Sequence, residues 1–158
     1  MSHSLFQRGR LGAVALFMTA LVATPAAALS DLDNYIFVPN RASSDVAVID
    51  TRSDKVVAKV QVGNTPHQVA VSETLGKMIT SNTDDNTISI IDLETLRATA
   101  TITLGATPEH MEISPDGGVL AVGNIDAGTV SLVSLSENRE LRRIAGLHEP
   151  HNIDRKST

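Results

Sequence analysis

The sequence has no cysteine and no tryptophan, and only one tyrosine and three phenylalanines in 158 residues. Without thiols there can be no disulfides, no thiolate metal ligands and no cysteine nucleophile. With so few aromatic rings, a stacking platform for bases or sugars is excluded from this segment. Basic residues are also in deficit, thirteen Lys and Arg against eighteen Asp and Glu. A nucleic-acid backbone needs a basic face, so no nucleic-acid partner is expected. Beyond residue 28 there is no apolar run long enough to span a bilayer and no segment of helical periodicity. Phosphate loops and the G-x-S-x-G elbow are missing too, so no enzyme signature is present.

What is there begins with a leader. Arg8 and Arg10 form a basic start, "LGAVALFMTALVA" from Leu11 to Ala23 a short apolar core, and Ala26 and Ala28 a small-x-small pattern. Residues 1–28 therefore read as a signal peptide cleaved after Ala28, which predicts a periplasmic or secreted protein. A membrane anchor is the alternative; Pro25 and the alanines favour processing. Without Arg8 and Arg10, eleven basic side chains face eighteen acidic ones, a net charge of about −7 for the mature chain.

From residue 29 to residue 158 the chain repeats itself with a period of 42 residues. Pro66, Pro108 and Pro150 hold one column, and Asn40, Asn82 and Asn124 another. "VAVID" ending at Asp50 returns as "ISIID" ending at Asp92 and as "VSLVS" ending at Ser134. "NTPHQVAVS" from Asn64 returns as "ATPEHMEIS" from Ala106. Each period alternates short β-branched runs with Gly, Asp and Asn clusters, the pattern of half-buried strands joined by hairpin turns. Four strands of about five residues per period make one propeller blade. The prediction is an all-β chain, a partial β-propeller of about three antiparallel, nominally four-stranded blades in an open arc. Strands are expected near 66–72, 77–82, 87–93 and 98–104 of the middle blade.

The segment "YIFVPNRASSDVAVIDTRSDKVVAKVQVGNTPHQVAVS" closely resembles the YVTN-type β-propeller repeat, and "SPDGGVLAVGN" from Ser114 carries the same family's Ser-Pro-Asp-Gly turn. The resemblance covers the whole mature chain. Relatives of this repeat include periplasmic binding proteins, the d1-haem domain of nitrite reductases and the large subunits of some amine dehydrogenases, so the resemblance implies a fold and leaves the function open. It also implies a parent of about seven blades. Tyr35 aligns with Lys77, so the first blade lacks its innermost strand; His151 opens the innermost strand of a further blade. That strand breaks off after "HNID", where Arg155 takes the column of Val71 and Ile113. The expectation is a truncated or frame-shifted piece of a longer protein; a short protein closing its ring from several copies is the alternative.

Candidate site residues come from the column behind each repeated proline: His67, Glu109 and His151, with His110 one place along. The start of an innermost strand faces the mouth of the central channel, where propellers bind ligands. Equivalent positions two blades apart stand roughly 10 Å from each other across a seven-bladed channel. That spacing suits a flat ligand and is too wide for His67 and His151 to share an ion, since metal–nitrogen bonds are about 2 Å. His148 and His151 form an H-x-x-H pair, but Pro150 makes it loop spacing; they are the remaining metal candidates, and no metal site is assigned. The turns "SNTDDNT" and "GNIDAGT" resemble calcium loops in composition and read as hairpin caps. The function read from this is an exported scaffold binding a small molecule or protein at its channel mouth, with no cofactor assigned and self-association through open blade edges. The alternatives are a d1-haem-like redox propeller using His67 and His151, or a non-functional fragment.

Overall fold

The computed structural model describes Leu29 and residues 31–154. The leader at 1–28 and the break at Arg155 lie outside the described residues. Among those described, the helix content is one 3-10 turn at Leu32–Asn34, and all regular structure after it is strand. No helix there is long and apolar enough to cross a membrane.

Eleven strands form three antiparallel meanders. The first blade is β1 (Tyr35–Asn40), β2 (Asp45–Asp50) and β3 (Lys55–Gln61). The second is β4 (Pro66–Ser72), β5 (Lys77–Asn82), β6 (Thr87–Asp92) and β7 (Arg97–Thr103). The third is β8 (Pro108–Ile113), β9 (Val119–Asn124), β10 (Thr129–Ser134) and β11 (Arg139–Ala145). The middle blade matches the expected strands to within one residue, and the first has three strands because β1 occupies the second-strand column. Residues 151–154 follow without forming a strand. The expected further innermost strand is therefore not made: no second strand lies beside it among the described residues to take its backbone hydrogen bonds. The segment nevertheless lies against the third blade, for a Cβ on Gly123 would meet the Pro150 carbonyl at 2.5 Å and Ile153 at 3.6 Å.

The core lies between blades. Val46, Val48 and Val60 of the first blade pack on Met78, Ile91, Leu93 and Leu96. On the other face of the second blade, Ile79, Ile88, Ile90 and Ile102 pack on Met111, Leu120, Val122 and Val133 of the third. The middle strands are thus covered on both faces, which corrects the half-buried reading of "TISI": Ser89 and its isoleucine neighbours are all buried. The outer strands are mostly exposed; in β7, Arg97, Thr99, Thr101 and Thr103 are exposed while Ile102 is buried. The large exposed hydrophobics, Ile36, Val56 and Val57 at one end and Leu141, Ile144 and Leu147 at the other, fall on the first blade and on or just after the last.

The Asn column closes the mouth end of each blade. Asn82 is fully buried, and its Nδ2 donates to Thr87 Oγ1 and Ser89 Oγ, both at 2.9 Å. Asn124 does the same to Thr129 Oγ1 at 3.0 Å and Ser131 Oγ at 2.9 Å. In the first blade Asn40 Nδ2 donates to Asp45 at 2.6 Å. The carboxamide occupies the space where a neighbouring side chain would begin: a Cβ on Gly63 would stand 2.6 Å from Asn82 Cγ and Nδ2. Gly63→Ala should therefore cost about 1–3 kcal/mol by overpacking. In an Asn82→Ala background the same substitution should cost less, because two of the three clashing atoms are gone and only Asp85 Oδ2, at 2.7 Å, remains. Urea unfolding of the two single variants and the double variant checks this, and strictly additive costs would show that the contact is not the cause.

Candidate functional site

The loop before each inner strand is held by the acidic and amide-rich turns. Thr65, Thr107 and Glu149, each preceding a repeated proline, take positive φ values of 52°, 57° and 45°. That region is uncommon for a β-branched residue, so neighbouring contacts must impose it. Two blades share one such contact, a threonine hydroxyl donating to an aspartate, and differ in the rest. Thr65 Oγ1 donates to Asp84, and Asn64 donates through N and Nδ2 to Asp85 at 2.6 and 2.8 Å. Thr107 Oγ1 donates to Asp126 at 2.5 Å, and its N–H to Asn86 Oδ1 at 2.9 Å. The polar side chains of "SNTDDNT" and "GNIDAGT" are thus occupied in shaping the loop, as hairpin caps.

Immediately after the proline, each inner strand bulges. Pro66 pairs with Asn82 and the next pair is Val69 with Thr80, so His67 and Gln68 together oppose Ser81. Pro108 pairs with Asn124 and Met111 with Val122, so Glu109 and His110 together oppose Gly123. A bulge leaves an unpaired residue and re-aims its side chain. Two consecutive residues can then serve one site, where a regular strand would send them to opposite faces. Side chains of the second blade tie both bulges down: Ser81 Oγ donates to the Glu109 carbonyl at 2.7 Å and accepts from Gln68 N at 3.2 Å. Gln68 also donates to the Met111 carbonyl at 3.2 Å and accepts from the Met111 N–H at 2.6 Å.

Four candidate side chains converge there. Glu109 Oε2 lies 3.8 Å from His67 Nε2 and 3.9 Å from His151 Nε2. The His110 ring stands 5.3 Å from the His67 ring and 4.4 Å from the His151 ring, centroid to centroid. The separation of roughly 10 Å expected for His67 and His151 is therefore corrected: blade spacing sets where the strands start, but all these side chains point inward and share one carboxylate oxygen. The imidazole and carboxylate ligand atoms of His67, Glu109 and His110 lie within 4.8 Å of one another. His67 and Glu109 are mostly buried, whereas the His151 side chain is 68% exposed. Nδ1 of His67 is buried and has no hydrogen-bond partner among the described residues. His148 is not part of this cluster; it borders an open depression of about 530 Å³ with Asp126, Gly128 and Glu149. The H-x-x-H pair is thus divided between two places.

Burial lowers the pKa of His110, helped by the repulsion it would feel from His151 and His67 and opposed by Glu109. His110 is the residue that column-by-column reading kept at the margin, since its equivalents are Gln68 and Asn152. The available signal was the Glu109–His110 pair at a position where the strand bulges. Its depressed pKa has a direct consequence. The unfolded chain takes up this proton at an ordinary histidine pKa of about 6.5, before the folded chain does. This contribution to stability is therefore complete above that value and is lost as pH falls towards the folded pKa. Titration followed by NMR should show His110 below an ordinary histidine, and His151→Ala should raise it; an unchanged value in that variant would separate the two rings electrostatically.

A propeller arc with a histidine–carboxylate cluster at the mouth of its channel is the class these features define. The chain belongs to the family described as "Cytochrome D1 heme domain", whose profile matches residues 30–150. No curated protein matches the sequence. Among solved structures it is similar to Kuenenia stuttgartiensis hydrazine synthase, with a TM-score of 0.73 and 20% identity over 87% of this chain and 42% of that one. It is similar also to the dihydro-heme d1 dehydrogenase NirN in complex with DHE, with a TM-score of 0.65 and 20% identity over 78% of this chain and 27% of the other. A protein of unknown function from Desulfotomaculum acetoxidans gives a TM-score of 0.64 at 14% identity, over 72% and 37% of the two chains. At these identities the similarity concerns the fold, and this chain spans less than half the length of each.

Proposed function

We propose that this chain is the ligand-binding part of an exported propeller protein, acting as a scaffold that holds a small molecule or a partner's side chain at its channel mouth. One observation carries the reading: His67, Glu109 and His151, three equivalent positions of three successive repeats, meet at one carboxylate oxygen. The asparagine column, which serves the blade itself, holds the same residue in three repeats, Asn40, Asn82 and Asn124. The mouth column instead holds a donor set of mixed charge, suited to recognising something that is not symmetric. Export rests on the leader pattern of residues 1–28. The exposed apolar residues of the first and last blades are faces for a further blade or a second copy to cover, and a parent ring of about seven blades fits this reading.

A second reading is favoured by the family match and by His110. A d1-type haem needs an axial imidazole that is neutral and not already bonded. Among the mouth imidazoles His67 has a buried nitrogen without a partner, and burial favours the neutral form of its neighbour His110, which then adds no positive charge beside it. His67 or His151 would hold the haem iron, with Glu109 beside it, and the haem when bound would supply redox chemistry. The chain's own part would be to orient the ring and to limit water on one face.

Native mass spectrometry of the full chain isolated from its export compartment distinguishes these readings. A bound species should be present in the wild type, absent in His67→Ala and His151→Ala, and retained in His148→Ala. A visible absorption band lost in the same two variants would mark that species as a haem. A ligand that survives both mouth substitutions, or a chain that carries none, would overturn the proposal.

A further inference from the structure

We propose that His67, Glu109 and His110 form a binding site for one divalent first-row transition ion of the zinc class, with His151 supplying a fourth donor from the following repeat. The proposal rests on the reading of the mouth as a binding site and names an ion as what it binds.

Geometry is the first support. Two donors held at about 2.0–2.1 Å by a tetrahedral ion stand about 3.4 Å apart. Here the three ligand atoms already lie within 4.8 Å of one another, with His67 Nε2 and Glu109 Oε2 at 3.8 Å. Rotations of side chains close that difference without moving the backbone, which the bulges and their bonds to Ser81 and Gln68 hold in place.

The second support is what these groups lack. The Glu109 side chain is only 17% exposed, and its contacts among the described residues are two imidazoles at 3.8 and 3.9 Å, too far for hydrogen bonds. Neither contact supplies a donor, so among the described residues the carboxylate has no hydrogen-bond partner. His67 has likewise engaged neither nitrogen: Nε2 stands at 3.8 Å from its neighbour and Nδ1 is buried without a partner. A cation between Glu109 Oε2 and His67 Nε2 gives each a partner and breaks no hydrogen bond among the described residues, while Nδ1 is left for a partner of its own. Buried polar atoms without partners are uncommon and call for a ligand, water or ion.

The donor set selects the ion. Two or three imidazoles with one carboxylate suit zinc, cobalt, nickel or copper, whereas calcium and magnesium need several oxygen ligands. His151, 68% exposed, is the donor on the solvent side; when it is displaced, His67, Glu109 and His110 leave one position of the ion open towards the channel. The arrangement resembles the open three-ligand zinc sites that bind a further group, and it gives the mouth a means to hold an anionic or carbonyl-bearing ligand.

The test uses the full chain without a histidine tag. Zn²⁺ is titrated calorimetrically, and Co²⁺ is followed by its visible absorption. The expected result is one ion per chain and cobalt bands of a four- or five-coordinate nitrogen–oxygen site. Loss of an outer partner alone typically weakens metal binding about 10–100-fold. Loss of a direct ligand in His67→Ala or His110→Ala should weaken it about 100-fold or more, Glu109→Gln about tenfold or more, and His148→Ala not at all. His67→Asn and His110→Asn serve if the alanine variants unfold, which circular dichroism reports. Absence of saturable one-to-one binding, or binding that survives His67→Asn and Glu109→Gln but falls with His148→Ala, would overturn the site. If Zn²⁺ does not bind while a co-purifying organic ligand is still lost on His67→Ala, the metal site fails and the binding scaffold stands.

Discussion

Each inner strand starts beside a buried asparagine, and much of the mouth follows from that contact. The carboxamide of Asn82 must reach Thr87 and Ser89 across the top of the blade, and only a residue without a Cβ can pass over it. Gly63 passes there and bonds through its N–H to Ser89 Oγ at 3.3 Å. The chain is thereby delivered to Thr65 in a left-handed conformation, which the Asp84 and Asp85 side chains hold. Proline then fixes φ at the first strand residue. Since Pro66 is already paired with Asn82, the residues that follow must absorb the mismatch with β5, and the bulge falls at His67 and Gln68. Gly105, Asn124, Thr107 and Pro108 repeat the sequence of constraints and place the second bulge at Glu109 and His110.

Bulges of this kind are costly unless their backbone groups find other partners. Here the partners belong to the neighbouring blade. Gln68 offers both ends of its amide to Met111, which links β4 to β8 where neither strand can pair with the other directly. Blade-to-blade adhesion therefore has a polar component at the mouth and an apolar one below it. The apolar part, Ile79, Ile88, Ile90, Leu120 and Val122 among others, supplies the stability, each such side chain contributing roughly 1.5–3 kcal/mol when fully buried. The polar part supplies position. It aligns the two bulges so that His67 and Glu109 approach to 3.8 Å.

Much of the fold was legible because a propeller repeats its needs. The Asn, Pro and β-branched columns report requirements that every blade has separately, so a period of 42 residues exposes them without knowledge of packing. The limits were of two kinds. Alternation in "TISI" suggested one wet face, because Ser89 is polar; in the sandwiched strand that serine is a buried hydrogen-bond acceptor for Asn82. The site was legible as a column, but its compactness was not. A column gives the strand from which a side chain departs and says nothing of a bulge that turns two neighbours the same way. His110 joined the cluster for that reason, whereas the distance assigned to His67 and His151 was too large because both side chains reach inward to Glu109. The further inner strand expected at His151 was read correctly in position and wrongly in form, since a strand needs a partner as well as a pattern.

Differences between repeats carry their own meaning once the repeated part is accounted for. The column of Gln68, His110 and Asn152 shows this best. Gln68 spends its amide on the next blade's backbone. His110, in the same position of the next blade, cannot form that two-ended bridge, because an imidazole does not present a donor and an acceptor on one carboxamide-like edge. Its ring is left between those of His67 and His151. The third blade thus forgoes a link that the second blade uses for cohesion, and gains an imidazole in the channel mouth. A blade selected for packing alone has no reason to make that exchange, whereas a blade that must contribute donors to a shared centre does. On the proposed reading, donors for the mouth and cohesion of the ring draw on the same bulged residue, and in the third blade His110 serves the mouth.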